Sequence, residues 1–351
     1  MDRSSVTALD WTIVALRVAI PALTLPVLVI PLTWLERRGA AFIQDRVGPN
    51  RVGPFGLLQA VADMVKMFTK EAVTPAHADR TLYYLAPCVA VFSALSTFAV
   101  VPIGPTLKIG ERQIPLIGAD VNIGILYVFA MTSLSVYAIV LAGWGSNNKF
   151  SMMGGIRSAS QIISYELAMT TAAAGVILAA SSFRLNDVIA MQQGTWLGFI
   201  PRWNIFLQPL GFLIFFVSAF AETNRLPFDL PEAEAELVAG YHTEYSAMRF
   251  GAFQMAEYVN VVVACAITST LYFGGWSLPG FHPEGLLGVL LSVLVFSVKT
   301  AIFICIFFWV RWTLPRFRYD QLMTLGWKAL LPLALLNLFW VAAVEMWRLR
   351  S

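Results

Sequence analysis

Long apolar runs recur over nearly the whole length of this chain, and they restrict its fold more than any other feature. Eight stretches, 11–34, 82–102, 121–142, 162–181, 205–221, 252–273, 285–310 and 328–347, are long enough to cross a bilayer or nearly so. Backbone in hydrocarbon must satisfy its own hydrogen bonds, so each run is expected to be a helix. The composition agrees: 58% of residues are hydrophobic, 13% are charged and the mean hydropathy is +0.69. The expected fold is an all-α polytopic membrane protein, a single transmembrane domain over residues 1–351. The fifth run is the weakest, because Pro209 interrupts it. The N-terminal MDRSSVTALDW has no small-residue cleavage site, so the first run reads as a retained span.

Basic residues orient the bundle. Fourteen Lys and Arg residues fall in the loops after spans one, three, five and seven, against seven in the other loops and tails. The positive-inside rule then puts the odd loops on the inner face and both termini outside. There is no internal repeat of the kind that builds the common transporter folds. The three cysteines lie inside apolar runs without metal-ligand spacing, and His77, His242 and His282 are scattered. No Walker, Rossmann or Ser/His/Asp pattern occurs, so any redox cofactor is expected on other chains.

In the first inner loop, Gly48-Pro49 and Gly53-Pro54 set turns between Arg46 and Arg51. After them Leu57, Val61, Met64, Val65 and Phe68 recur at helical spacing, with Asp63, Lys66 and Lys70 between them. This predicts an amphipathic helix along the membrane surface, either a lipid anchor or the wall of an opening for an amphiphile.

Glu166 lies about one turn inside the fourth span. An acid there must pair, face water or take up a proton, which makes it a proton-relay candidate, or else an acid hydrogen-bonded to Tyr165 or Ser164. Glu257 repeats the pattern in span six, and Glu222 closes span five. Lys299 is deep in span seven, where it fits a buried pair or a proton path; Arg17 in span one is expected to reach outward.

The segment from Ala221 to Tyr258 holds Glu222, Asp229, Glu232, Glu234, Glu236, Glu244 and Glu257, seven of the 21 acidic residues. Pro231 suits the first position of a short acidic helix between spans five and six. A helix dipole accounts for Asp229 and Glu232 but poorly for Glu236 and Glu244. Glu232 and Glu236 share a helix face and repel unless one is protonated or water separates them.

Three segments carry a family resemblance: ERRGAAFIQDRVGPNRVGPFGLLQAVADMVKMFTKE, the long acidic motif AETNRLPFDLPEAEAELVAGYHTEYSAMRFGAFQMAEY, and RWTLPRFRYDQLMTLGWK. They resemble the quinone-pocket membrane subunit of respiratory complex I, the H-type or chain 1 family of NADH–quinone oxidoreductase, over essentially the whole chain. The resemblance implies a quinone entrance chamber lined by Glu36, Arg37, Arg46, Asp63, Arg225, Asp229, Arg311 and Arg316. It also implies a proton path through Glu166, Glu222, Glu232, Glu234, Glu236 and Glu257. Quinone would be the substrate, with FMN and iron–sulfur clusters carried by partners and none bound here. Those partners would be the peripheral quinone-site and iron–sulfur subunits and the small membrane-arm subunits, in a bacterial cytoplasmic membrane. The alternatives are the corresponding subunit of a membrane-bound hydrogenase or ferredoxin-linked complex, and a stand-alone proton-coupled transporter. The partners that co-purify would separate them.

Overall fold

The computed structural model describes residues 8–109, 112–196, 200–231, 237–280 and 285–350. Its elements are almost all helical: α1 (Ala8–Ile43), α2 (Gln59–Thr69), α3 (Arg80–Phe98), α4 (Gly124–Gly145), α5 (Lys149–Ala180), α6 (Leu185–Met191), α7 (Asn204–Leu207), α8 (Pro209–Glu222), α9 (Ala247–Tyr272), α10 (Gly285–Thr313), α11 (Tyr319–Thr324) and α12 (Leu331–Arg350). Two antiparallel hairpins, β1 (Thr106–Ile109) with β2 (Arg112–Pro115) and β3 (Thr195–Trp196) with β4 (Ile200–Pro201), lie in loops and were not expected from the sequence.

Among the described residues, seven helices are long and apolar enough to cross a membrane: α1, α3, α4, α5, α9, α10 and the composite Tyr319–Arg350. The expected span 205–221 is shorter and divided. Pro209 has no N–H to donate and pushes Gln208 out of helical geometry (φ −139°, ψ 66°), so α7 stops and α8 starts afresh with 14 residues. At 1.5 Å per residue α8 covers about 21 Å, less than a bilayer core of about 30 Å.

Helix α1 runs past the expected end at residue 34, which puts Glu36, Arg37 and Arg38 on the helix and not in a loop. It ends when Asp45 turns left-handed (φ 49°) and Arg46 N–H reaches back to the Ala41 carbonyl at 3.0 Å, a Schellman-type stop. The following turn needs Gly56 (φ 75°), where a Cβ would lie 2.2 Å from the Pro49 carbonyl oxygen. The amphipathic helix α2 then forms where the periodicity predicts it.

Helix α5 is central and touches α4, α8 and α12. Its buried residues include Gly154, Gly155, Ser158, Ala168, Ala172, Ala173 and Gly175, small side chains that let backbones approach in a bundle without a hydrophobic drive between helices. Phe212, Phe216 and Phe220 of α8 interleave with Phe303 and Phe307 of α10. The last span begins earlier than residue 328, through α11 and a π-helical turn at Leu325–Leu330 against Tyr165. The Tyr165 hydroxyl donates to the Leu322 carbonyl at 2.9 Å. Arg17 donates to the Ile117 carbonyl in the loop after β2, and all three cysteines are free thiols.

Candidate functional site

Helices α1, α2 and α9 enclose a groove of about 480 Å³. One stripe of α1 contributes Pro26, Val27, Ile30 and Thr33; α2 contributes Met64, Met67 and Phe68; α9 contributes Met248, Gly251 and Met255. Gly251 lets α2 come close, since a Cβ there would stand 2.8 Å from the Met67 sulfur. At one end the apolar lining gives way to Arg37, Asp63, Gln254 and Tyr258. Arg37 donates to Asp63 at 2.5 Å, and Gln59 donates to the other Asp63 oxygen at 3.1 Å. A smaller cavity of about 100 Å³ shares Gln254 and Tyr258 with the groove and is lined by Arg225, Tyr241, His242, Glu257 and Arg311.

The polar end is knit by pairs from distant parts of the chain. Glu36, 4% exposed, accepts from the Tyr258 hydroxyl at 2.7 Å and from the Arg311 guanidinium. Arg225 lies 3.5 Å from Glu257 and stacks over the Tyr258 ring at 4.4 Å. Tyr241 donates to Glu257 at 2.8 Å. Arg316 donates to Asp229 at 3.0 Å. Burial pushes the Asp229 carboxyl up to about 6; Arg316 opposes the shift and Glu257 reinforces it.

Buried Gln161 of α5 holds this arrangement in place. Its amide donates to the carbonyls of Ala221 and Phe228, both at 2.8 Å, and to the Asn224 side chain at 3.2 Å. Asn224 takes the left-handed conformation (φ 49°) that ends α8 and turns Arg225 toward Glu257. The α10–α11 loop closes over the segment, with Phe317 stacked on Phe228 and its N–H on the Pro227 carbonyl at 3.2 Å.

Two more acids continue from the polar end into the bundle. Glu222 lies beside the Thr132 hydroxyl of α4, and its charge interacts with that of Glu166. It lines a cavity of about 20 Å³ together with Thr132, Ser135, Thr223 and Asn260. Glu166 accepts a hydrogen bond from Ser133 of α4, not from the Tyr165 or Ser164 considered from sequence. Acids from α5 and α8 thus lie near one another, with α4 hydroxyls beside them.

The structure brings together Glu36, Arg37, Asp63, Arg225, Asp229, Glu257, Arg311 and Arg316 at the polar end, and Glu166 with Glu222 next to it. Arg46 is elsewhere: it is exposed, donates to Gln44 at 2.7 Å and lines a separate cavity with Arg38, Phe42 and Asn50. Glu232, Glu234 and Glu236, and the short acidic helix expected to carry them, lie outside the described residues. Glu244 has a structural task, accepting from the Asn148 side chain at 2.6 Å at the start of α5. Sequence reasoning missed Thr132, Ser133, Gln161, Tyr241 and Gln254. The available signal was polar side chains inside spans three and six, at the start of span four and within the acidic segment.

Fold and site together define a multi-pass helical membrane protein in which an apolar groove ends at a network of ion pairs. The family model described as NADH dehydrogenase matches residues 16–342. The chain is 50% identical over 309 residues to an H-type NADH-quinone oxidoreductase subunit of Cytophaga hutchinsonii, covering 87% of this chain and 89% of that protein. It is 49% identical over 331 residues to an H-type subunit of the same enzyme from Geobacter sulfurreducens, covering 94% and 96%. It is also 49% identical over 345 residues to NADH-quinone oxidoreductase subunit 8 of Rhodothermus marinus, covering 95% and 97%. The chain belongs to this family, the H-type membrane subunits of the NADH–quinone oxidoreductase complex.

Proposed function

We propose that the chain forms the quinone entrance chamber of its complex and begins the proton path that couples quinone reduction to proton translocation. The observation that carries this reading is the groove of about 480 Å³, whose lining changes from aliphatic and methionine side chains to Arg37, Asp63, Gln254 and Tyr258. An amphiphile with an apolar tail and a polar ring matches that gradient. The chamber is assigned Glu36, Arg37, Asp63, Arg225, Asp229, Arg311 and Arg316, whose ion pairs present both charges to a headgroup. Arg46 belongs to the chamber only if a partner subunit completes the wall on its side.

The path is assigned Glu257, Glu222 and Glu166 and, from the sequence resemblance, Glu232, Glu234 and Glu236. A change of charge on the quinone would alter the balance among these closely spaced carboxylates and move a proton along them. FMN and iron–sulfur clusters would sit on peripheral partners, and the small membrane-arm subunits would receive the proton-path signal. The membrane would be the bacterial cytoplasmic membrane, with both termini on its outer side.

Two variants test the two parts. Gly251→Leu, which fills the groove, should raise KM for a long-tailed quinone by about tenfold, a loss of about 1.4 kcal/mol, and leave a short-tailed analogue unaffected. Glu222→Gln should lower proton translocation in proteoliposomes while the assembled complex is retained. Equal KM changes for both quinones would remove the chamber; unchanged pumping in Glu222→Gln would remove the path.

A further inference from the structure

We propose that Asn260 is a positioning residue that holds a water molecule between Glu257 and Glu222, and that this water carries the proton from one to the other. The inference rests on the proton-path reading above and supplies a step that the carboxylates do not cover by themselves.

Glu257 lines the cavity of about 100 Å³ at the polar end, and Glu222 lines the cavity of about 20 Å³ deeper in the bundle. Helix α9 connects the two, because Asn260 lies three residues after Glu257 and so on the same face, its Cβ about 5–6 Å away. Asn260 lines the deeper cavity with Glu222. Of the residues around that cavity, Glu222 is the one with an ionisable side chain.

The deeper cavity suits a single water: about 20 Å³ exceeds the roughly 10–15 Å³ that one water centre needs, and polar groups face it. Those groups are not equivalent. The hydroxyls of Ser135 and Thr223 give their protons to backbone carbonyls of their own helices, Thr132 at 2.6 Å and Ala219 at 3.1 Å. Thr132 likewise donates to the Phe129 carbonyl at 3.1 Å. These oxygens can only accept from a water. The Asn260 amide has no hydrogen-bond partner among the described residues, and it brings both an N–H donor and a carbonyl acceptor. It can therefore fix the water's lone pair and one of its protons together. An amide also does not titrate, so it orients the water without trapping the proton.

The step balances simply. An O–H bond at Glu257 breaks as one forms on the water; an O–H bond of the water breaks as one forms on the Glu222 carboxylate. The water is unchanged, and one negative charge has moved from Glu222 to Glu257.

The test uses the whole complex in proteoliposomes, with protons translocated per NADH, the NADH–quinone rate and its solvent isotope effect as readouts. Asn260→Leu fills the cavity with an apolar group and should lower coupled pumping at least about tenfold. Asn260→Ser restores a donor and an acceptor and should recover most of the pumping, with the isotope effect retained. Glu222→Gln is run beside them. Pumping by Asn260→Leu at the wild-type level while Glu222→Gln fails would overturn the inference and leave the proton path standing. Wild-type pumping by Glu222→Gln would remove the path, and the inference with it. Equal loss in Asn260→Leu and Asn260→Ser, with poor assembly of both, would make Asn260 a packing residue and overturn the inference as well.

Discussion

Lys299 and the Arg225–Glu257 cluster are both charges held among the helices of the bundle, yet they are satisfied in opposite ways. The Lys299 ammonium donates to the carbonyls of Phe273, Gly275 and Ser277 at 2.7, 2.9 and 2.8 Å and lies 4.8 Å from the Trp203 ring. Three donors meet three acceptors at the end of α9, and those acceptors are backbone, held by the turns Gly275 to Ser269 and Ser277 to Gly274. Such a site has one arrangement. At the polar end, acids and guanidiniums satisfy one another through side chains that line cavities, and some atoms are left over. Asp229 Oδ1 and Arg311 Nε are buried without a hydrogen-bond partner among the described residues. A network of that kind can exchange partners when a charge arrives. The difference separates a charge that fastens the fold from charges that can respond to a substrate.

Arg311→Met is the largest expected disturbance to this contrast. Glu36 would keep only the Tyr258 hydroxyl among its present partners, and stranding a buried charge costs about 3–5 kcal/mol. NADH–quinone activity per assembled complex should fall more than about tenfold. Adding Glu36→Gln should recover part of it, because the pair is then removed together. A wild-type rate in Arg311→Met would mean that the cluster is as passive as the lysine.

Lys299→Met tests the other region. Loss of charge-assisted hydrogen bonds, at about 1.5–3 kcal/mol each, should lower the thermal midpoint of the purified complex by several degrees. Turnover per intact complex should stay within about twofold of wild type. A fall in turnover at unchanged stability would show that Lys299 takes part in the chemistry and would dissolve the comparison.

The sequence made the spans legible because hydrocarbon imposes one requirement on every residue of a helix, and loop one because its apolar spacing is regular. It also made visible most of the charged residues at the site, since a charge next to an apolar run stands out. Their pairing was not legible. Glu36 meets Arg311 across 275 positions, and Arg316 meets Asp229 across 87, distances at which no local pattern operates. Gln161 was invisible for another reason: an amide in a span carries no charge, and its worth lies in three acceptors at the end of α8 and in the loop that follows. The extension of α1 to Ile43 was missed because Glu36–Arg38 look like loop residues until their partners on α2 and α10 are seen.

The finest test concerns Asp229, whose loop position makes its titration accessible. Its carboxyl is raised from 3.8 to about 6, so folding favours the protonated form. That contribution to stability is complete below about 3.8 and is lost as the pH rises through about 6. The ion pair with Arg316 follows the opposite course, present above that pH and released below it. A part-exposed pair contributes about 0.2–1 kcal/mol, so the quinone-dependent rate should fall about two- to threefold as the pH drops through this ionisation. Asp229→Asn should flatten that limb of the pH profile. Arg316 holds the carboxyl down and Glu257 holds it up, so Arg316→Met should move the limb to higher pH and Glu257→Gln to lower pH. A limb that stays in place in both variants belongs to another group, and Asp229 would then join Lys299 among the charges that only fasten the fold.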